Sequence, residues 1–287
     1  MASMNNNSII PKAKGESLTA YLTKDAVKNQ INGVLGGKDG QQFISAIVSA
    51  VETNTQLKEC KNTTIVSAAL LGQSLKLSPS PQLGQYYLVP FNDKERGKIA
   101  QFILGYKGMI QLAIRSGQYK KLNVLAIKEG ELVSYDPLNE EIKVNLIQDE
   151  EVRENTPTIG YYVMFEYVNG FRKTLYWSRA KMEKHAERYS QGYKKRSGYT
   201  FWEKDFDAMA YKTMLRQLIS KWGIMSIEMQ TAYLADGATI KEDLTPEYVE
   251  IGEDMETIPA PAAEPITVTA KEIRDEAKAA AESDDIF

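Results

Sequence analysis

The chain has 287 residues, 35 of them Lys or Arg and 38 Asp or Glu, for a formal net charge of −3. It is long enough for one large domain or two small ones, while a single cysteine, Cys60, excludes an intrachain disulfide and a single histidine, His185, excludes the ordinary Cys/His zinc sites. The start MASMNNNSIIPKAKGE lacks the apolar core of a signal peptide and no stretch reaches the roughly 18 apolar residues of a membrane span, so a cytoplasmic protein with no membrane contact is expected.

In chain order, the first third reads as helical. SLTAYLTKDAVKNQINGVLGG runs to the Gly36-Gly37 pair, FISAIVSAVETNTQL follows, and TTIVSAALLGQSLKL closes at SPSPQ. These helices make up a region 1–80 expected to provide contacts between subunits. A hairpin comes next, with QYYLVPF and KIAQFILGY flanking the polar turn NDKERG, whose tip offers Lys94, Arg96 and Lys98 to an anion. The segment LGYKGMIQLAIRSGQYKK places Gly105 and Gly108 in a GxxG, which clamps a nucleotide backbone in one RNA-binding module and elsewhere merely turns the chain. Its helix spaces Lys107, Gln111 and Arg115 by four, a polar stripe that leaves Met109, Leu112 and Ala113 for the core, and its N-terminal amides suit a phosphate.

Candidate strands follow in KLNVLAIKEG, ELVSYD and EIKVNLI, then a long hairpin, TIGYYVMFEYVNGFRKTLYW, with Asn169-Gly170 as a two-residue turn. SRAKMEKHAERYS returns to helix and aligns Lys181, His185 and Arg188 at i, i+4 and i+7. SQGYKKRSGYTFW reads as a flexible basic arm, or as an exposed connector kept soluble by charge. The helix FDAMAYKTMLRQLISKW has an apolar stripe of Phe206, Met209, Ala210, Leu215, Leu218, Ile219 and Trp222. Lys212 and Arg216 break the pattern: they stand one turn apart, and no carboxylate at helical spacing relieves them. An external anion is their expected counterion, so replacing both by alanine is expected to weaken binding and spare the fold.

The two signs of charge are separated along the chain. Residues 238–287 hold 4 basic and 14 acidic side chains, a net of −10, which leaves 31 basic and 24 acidic in 1–237, a net of +7. Phe171 to Gly223 alone holds 13 basic against 5 acidic residues, interleaved with aromatics. Such a mixture suits a surface that holds phosphates and stacks bases, and equally a solvated helical face over an aromatic core. The layout is an α+β fold: N-terminal helices in 1–80, an α+β core in 81–237 with antiparallel hairpins on a long helix, and an acidic, flexible tail in 238–287.

Catalytic motifs are sparse. No G-x-x-x-x-G-K-[ST] cradles a nucleotide phosphate, and no G-x-S-x-G elbow presents a nucleophile. Asp136 with Glu141 and Lys143 in YDPLNEEIK is the nearest approach to a metal-dependent nuclease, and it also fits a plain polar turn.

GYKGMIQLAIRSGQ, WSRAKMEKHAERYSQGYKK and FWEKDFDAMAYKTMLRQLISKW, in that order across roughly Gln85 to Asp236, resemble the RecT family of phage single-strand annealing proteins. The resemblance implies a Redβ/RecT-like core and a DNA annealing protein of phage or prophage origin that acts in homologous recombination without ATP or another cofactor, with magnesium at most modulatory. Implied partners are single-stranded DNA and its annealed duplex, further copies of the chain in a ring or helical filament, an exonuclease, and the host single-stranded DNA-binding protein, whose acidic, hydrophobe-ended tip ESDDIF resembles. Lys107, Arg115, Trp202, Phe206, Lys212 and Arg216 are the matching positions carried over as DNA-binding, with Trp202 and Phe206 fitting a core role equally well. A passive single-strand coat and the nuclease are the alternatives.

Overall fold

The structure, a computed structural model, describes residues 16–35, 37–198 and 200–248. The N-terminal third is helical, as α1 (Leu18–Leu22), α2 (Asp25–Leu35), α3 (Gly37–Thr53), a 3-10 turn at Thr55–Glu59 and α4 (Asn62–Ser74). The helix expected from Ser17 to the Gly36-Gly37 pair is split. Thr23 returns its amide to Thr19 O and its hydroxyl to Ala20 O at 2.7 Å, which ends α1 before Asp25 opens α2. Helix α3 begins six residues before the expected Phe43. Helix α4 is buried without interruption from Ile65 to Gly72, as a helix apolar on all sides must be. Gly72 belongs there for a steric reason, since a Cβ would lie 2.3 Å from the ring of Tyr86, which stacks on Phe102 at 5.0 Å.

The β-rich middle follows the expected hairpins. Strands β1 (Tyr86–Asp93) and β2 (Gly97–Leu104) pair antiparallel, and Asp93 holds their turn by accepting the amides of Glu95 and Arg96 at 2.8 and 2.7 Å. Helix α5 (Tyr106–Arg115), β3 (Tyr119–Lys128), the small hairpin β4 (Leu132–Asp136) with β5 (Glu141–Val144), and α6 (Glu150–Asn155) come next. Strands β6 (Thr158–Tyr167) and β7 (Arg172–Ser178) complete an antiparallel sheet in the order β3-β6-β7. Their connection is longer than the expected two-residue turn. Gly170 takes φ +89° and Tyr167 N–H donates to Phe171 O at 2.8 Å, which encloses Val168, Asn169 and Gly170 in a three-residue loop.

Helices return as α7 (Arg179–Tyr189), α8 (Gln191–Lys194), α9 (Phe201–Lys204), α10 (Phe206–Trp222) and α11 (Ile227–Ala235). Asp205 separates α9 from α10 and caps the latter by accepting Ala208 N at 3.0 Å. Alternation along β6 turns Tyr161, Val163, Phe165 and Tyr167 to one buried face, and α10 packs across all three strands. The helix answers with Met214, Leu215, Leu218 and Ile219, each at most 1 % exposed and each stabilising the packing by about 1.5–3 kcal/mol.

The N-terminal helices share one hydrophobic core with the sheet, running from Leu22 to Ile240. The acidic tail does not start at Ala238: Ala238 O accepts Phe102 N at 2.9 Å, and β8 (Thr239–Ile240) pairs with β9 (Pro246–Glu247). Backbone pairing with β2 outweighs the loss of helical or strand periodicity that marked this stretch as a linker. The remainder of the tail, ESDDIF included, lies outside the described residues.

Candidate nucleic-acid interface

Helix α7 brings three of the expected residues together. Ser178 caps it by accepting Lys181 N, Met182 and Ala186 anchor it in the core, and Lys181, His185 and Arg188 lie on its outer side. The helix's carboxylates face other cations: Glu183 pairs with Arg179 at 2.9 Å, and Glu187 lies 3.9 Å from Arg196. No ion pair engages Lys181 or Arg188 among the described residues. Each is instead set against a ring, Lys181 Nζ at 4.2 Å from the centroid of Trp177 and Arg188 Cζ at 5.2 Å from that of Tyr189. His185 links these rings, 5.6 Å from Trp177 and 4.5 Å from Tyr189.

The row continues along β7 to the end of α10. Burial, and after it the Lys221 ammonium, lower the Lys181 pKa from its ordinary value. Beyond Lys221, Lys173 Nζ sits 3.8 Å from the centroid of Trp222 and is bonded to the Glu140 carboxylate. Lys173, Lys221, Lys181, His185 and Arg188 thus alternate with Trp222, Trp177 and Tyr189. Sequence reading missed Lys173, Trp177, Lys221 and Trp222 as site residues, although all lie in the basic, aromatic stretch that composition had singled out.

Elsewhere, five of the expected cations, Arg96, Lys98, Arg115, Lys212 and Arg216, have partners within the chain. Asp236 accepts Lys212 Nζ at 2.9 Å, Arg216 at 2.7 Å and the amide of Leu104 at 2.9 Å. The cations that spacing left without a counterion therefore have one twenty residues or more downstream. Burial is the largest influence on Lys212 and lowers its pKa, with Asp236 acting the other way. Arg115 donates to the carbonyls of Leu75 and Lys76 at 2.8 and 2.7 Å, which satisfies the end of α4. At the β1-β2 tip, Arg96 bonds Asp93 and Glu247, Lys98 bonds Glu59, and Lys94 is exposed. Lys107 is exposed and Gln111 half-buried on α5.

The aromatic pair resolves by burial. Trp202 is only 7 % exposed, with Phe206 and Tyr193 at 5.0 and 6.2 Å, so it is a core residue and offers no face to a base. Phe206 is half-buried beneath the Arg179 guanidinium, 3.6 Å from its ring, and that guanidinium also donates to the Tyr161 hydroxyl at 2.9 Å. The GxxG is likewise occupied by the chain itself. A Cβ at Gly105 or Gly108 would stand 2.1 Å from the carbonyl oxygens of Gly84 or Gln85, so these glycines admit protein backbone. The expected basic arm is a short helix and turn, with Ser197 N returning to Gly192 O at 3.0 Å.

For the nuclease alternative, Asp136 accepts Leu138 N and Asn139 Nδ2 at 2.8 and 2.7 Å, the geometry of a turn cap. Among the described residues no three His, Cys, Asp or Glu side chains converge as metal ligands. The buried Glu131 is held by Arg153 at 2.6 Å; burial pushes its pKa up, but Arg153 and the amides of Lys128 and Ile147 outweigh this and keep it below the usual range. That carboxylate braces the loop before β4 against α6. No helix among the described residues is long and apolar enough to cross a membrane.

A family model described as the RecT family matches residues 41–250. The chain is 40 % identical over 244 residues to the uncharacterized protein YqaK of Bacillus subtilis (strain 168), covering 85 % of this chain and 78 % of that protein. It is 30 % identical over 237 residues to Protein RecT of Escherichia coli (strain K12), covering 81 % of this chain and 83 % of the relative.

Proposed function

The chain belongs to the RecT family, and from that premise we propose that it anneals complementary single strands of DNA in recombination, holding a strand by its phosphates and hydrolysing no nucleotide. The observation that carries this reading is the row of Lys181, His185 and Arg188 set among Trp177 and Tyr189 on the α7–β7 edge, with Lys221 of α10 close enough to act on Lys181. Cations placed against rings, with α7's own carboxylates turned to Arg179 and Arg196, suit a chain of phosphates carrying flat bases.

The mechanism follows from elementary electrostatics. Two strands repel through their phosphates, and each Lys or Arg that neutralises a phosphate releases condensed counterions and reduces the repulsion. Contacts to phosphate carry no sequence information, so base edges stay available to an incoming strand. Base pairing and stacking then supply the free energy of capture, with no need for nucleotide hydrolysis. Further copies of the chain, joined head to tail, would make the row continuous along a strand, and the N-terminal helices are the proposed contacts. An exonuclease that exposes the strand and the single-stranded DNA-binding protein that coats it are the partners this activity calls for.

Complementary oligonucleotides mixed with the protein in EDTA, without ATP, test the proposal. Duplex recovered after removal of the protein should form faster than in buffer alone. Binding without acceleration would identify a passive coat instead, and cleavage on adding magnesium would identify a nuclease.

A further inference from the structure

Trp222 ends α10, where helical spacing assigns it to the apolar stripe, yet 51 % of it is exposed. The backbone that carries it is nevertheless firmly placed. Its own carbonyl accepts the Tyr167 hydroxyl at 3.1 Å, and the amide two residues later, at Ile224, donates back to that hydroxyl. At Gly223, between them, a Cβ would lie 2.5 Å from Ile219 O, so the chain must turn closely over the last turn of the helix. A half-open indole on an anchored backbone is an unusual use of so large an apolar surface.

The chemistry around the ring narrows what it is for. Lys173, whose ammonium also bonds the Glu140 carboxylate, holds it 3.8 Å from the centroid, on one face. A cation there draws π density toward itself, which makes the opposite face unfavourable for a second cation and favourable for an electron-rich aromatic plane. Lys221 is the neighbouring residue, and Lys181 is close enough to it for their charges to interact. A flat π system joined to an anion is the complement of this arrangement, and a nucleotide within a strand has both parts.

We propose that Trp222 is the stacking platform for one base of the bound strand, backed by Lys173, with Lys221 and Lys181 taking the adjoining phosphates. This rests on the single-strand reading above and adds a base-directed contact to it. It also transfers the stacking role from Trp202 and Phe206, which the core holds, to a residue whose helical position predicted burial.

Tryptophan fluorescence of the full chain, titrated with oligothymidylate and with an abasic oligonucleotide of equal length, provides the test. Oligothymidylate should quench emission and the abasic strand should not, although both bind through phosphate. Trp222→Ala should remove most of the quench and weaken oligothymidylate binding about tenfold, leave abasic binding unchanged, and Trp222→Phe should retain most of the affinity. Equal quenching by both strands, or equal affinity of Trp222→Ala and wild type for oligothymidylate, overturns the stacking platform. A changed oligomeric mass with unchanged DNA affinity also overturns it, by assigning the ring to a contact between copies. Should Trp222→Ala fail to fold, Trp222→Phe decides, since it removes the indole emission while keeping a ring: it should lose most of the quench, and an undiminished quench overturns the platform. Failure of wild type to bind either strand would defeat the single-strand reading itself, whereas binding both without quenching defeats only the platform.

Discussion

Asp236 is 7 % exposed and places one carboxylate between Lys212, Arg216 and the amide of Leu104. Two cations and an amide around one buried acid join α10, β2 and the end of α11. Removing the acid would leave a buried ammonium and a buried amide without a partner, and breaking a buried pair from one side costs about 3–5 kcal/mol. Asp236→Ala is therefore expected to lower unfolding stability by an amount in that range, read from the urea midpoint at unchanged m-value. The same reasoning revises the double replacement of Lys212 and Arg216 by alanine: it strips both cations from the buried Asp236, so a loss of DNA binding in that variant would report damage to the fold. A clean test of phosphate contact belongs at exposed cations outside such networks.

Helix α7 supplies those cations, because its apolar residues Met182 and Ala186 seat it on the core while its outer side stays charged. If Lys181 holds a phosphate, Lys181→Ala should reduce the slope of log affinity against log salt by about 0.7 for a single strand, with circular dichroism unchanged. An unaltered slope would remove Lys181 from the contact. The ammonium also has a pH signature. Burial and Lys221 lower its pKa from the ordinary lysine value, and a phosphate favours the charged form. Affinity should be complete while Lys181 is protonated and should fall as pH rises through that lowered pKa. Lys181→Arg keeps its charge at every accessible pH, so it should bind as tightly at neutral pH and lose this decline on the alkaline side.

For the molecule as a whole, the boundary of the folded part is itself testable. Ala238, Thr239 and Ile240 are each at most 2 % exposed, Ala238 closes the outer edge of β2, and Glu247 reaches Arg96 at the hairpin tip. A chain ending at Gly237 should melt about 5–10 °C below one ending at Gly252, since it loses this burial and an edge pairing worth several kcal/mol. Equal melting temperatures would show that β8 and β9 add nothing to stability. For the acidic tail, the informative truncation thus begins after Gly252, where loss of charge is not confused with loss of the fold.

Local rules made much of this legible. Alternating apolar residues marked β1, β2, β6 and β7, and separated charge marked a basic body with a cationic, aromatic stretch from Phe171 to Gly223. The spacing of Lys181, His185 and Arg188 needed only one helix to bring them into line, and one helix forms there. Roles that depend on residues distant in the chain were hidden. Asp236 lies 24 positions from Lys212, Arg115 meets carbonyls some 40 positions earlier, and Lys173 meets Trp222 only because α10 crosses the sheet. Sequence by itself determined most of the longer helices and strands and where positive charge gathers, because those follow from neighbours within a few residues. Which cations are neutralised inside the chain, which tryptophan is buried and which is left open were decided by tertiary packing alone, because a counterion or a covering side chain is set by distance in space.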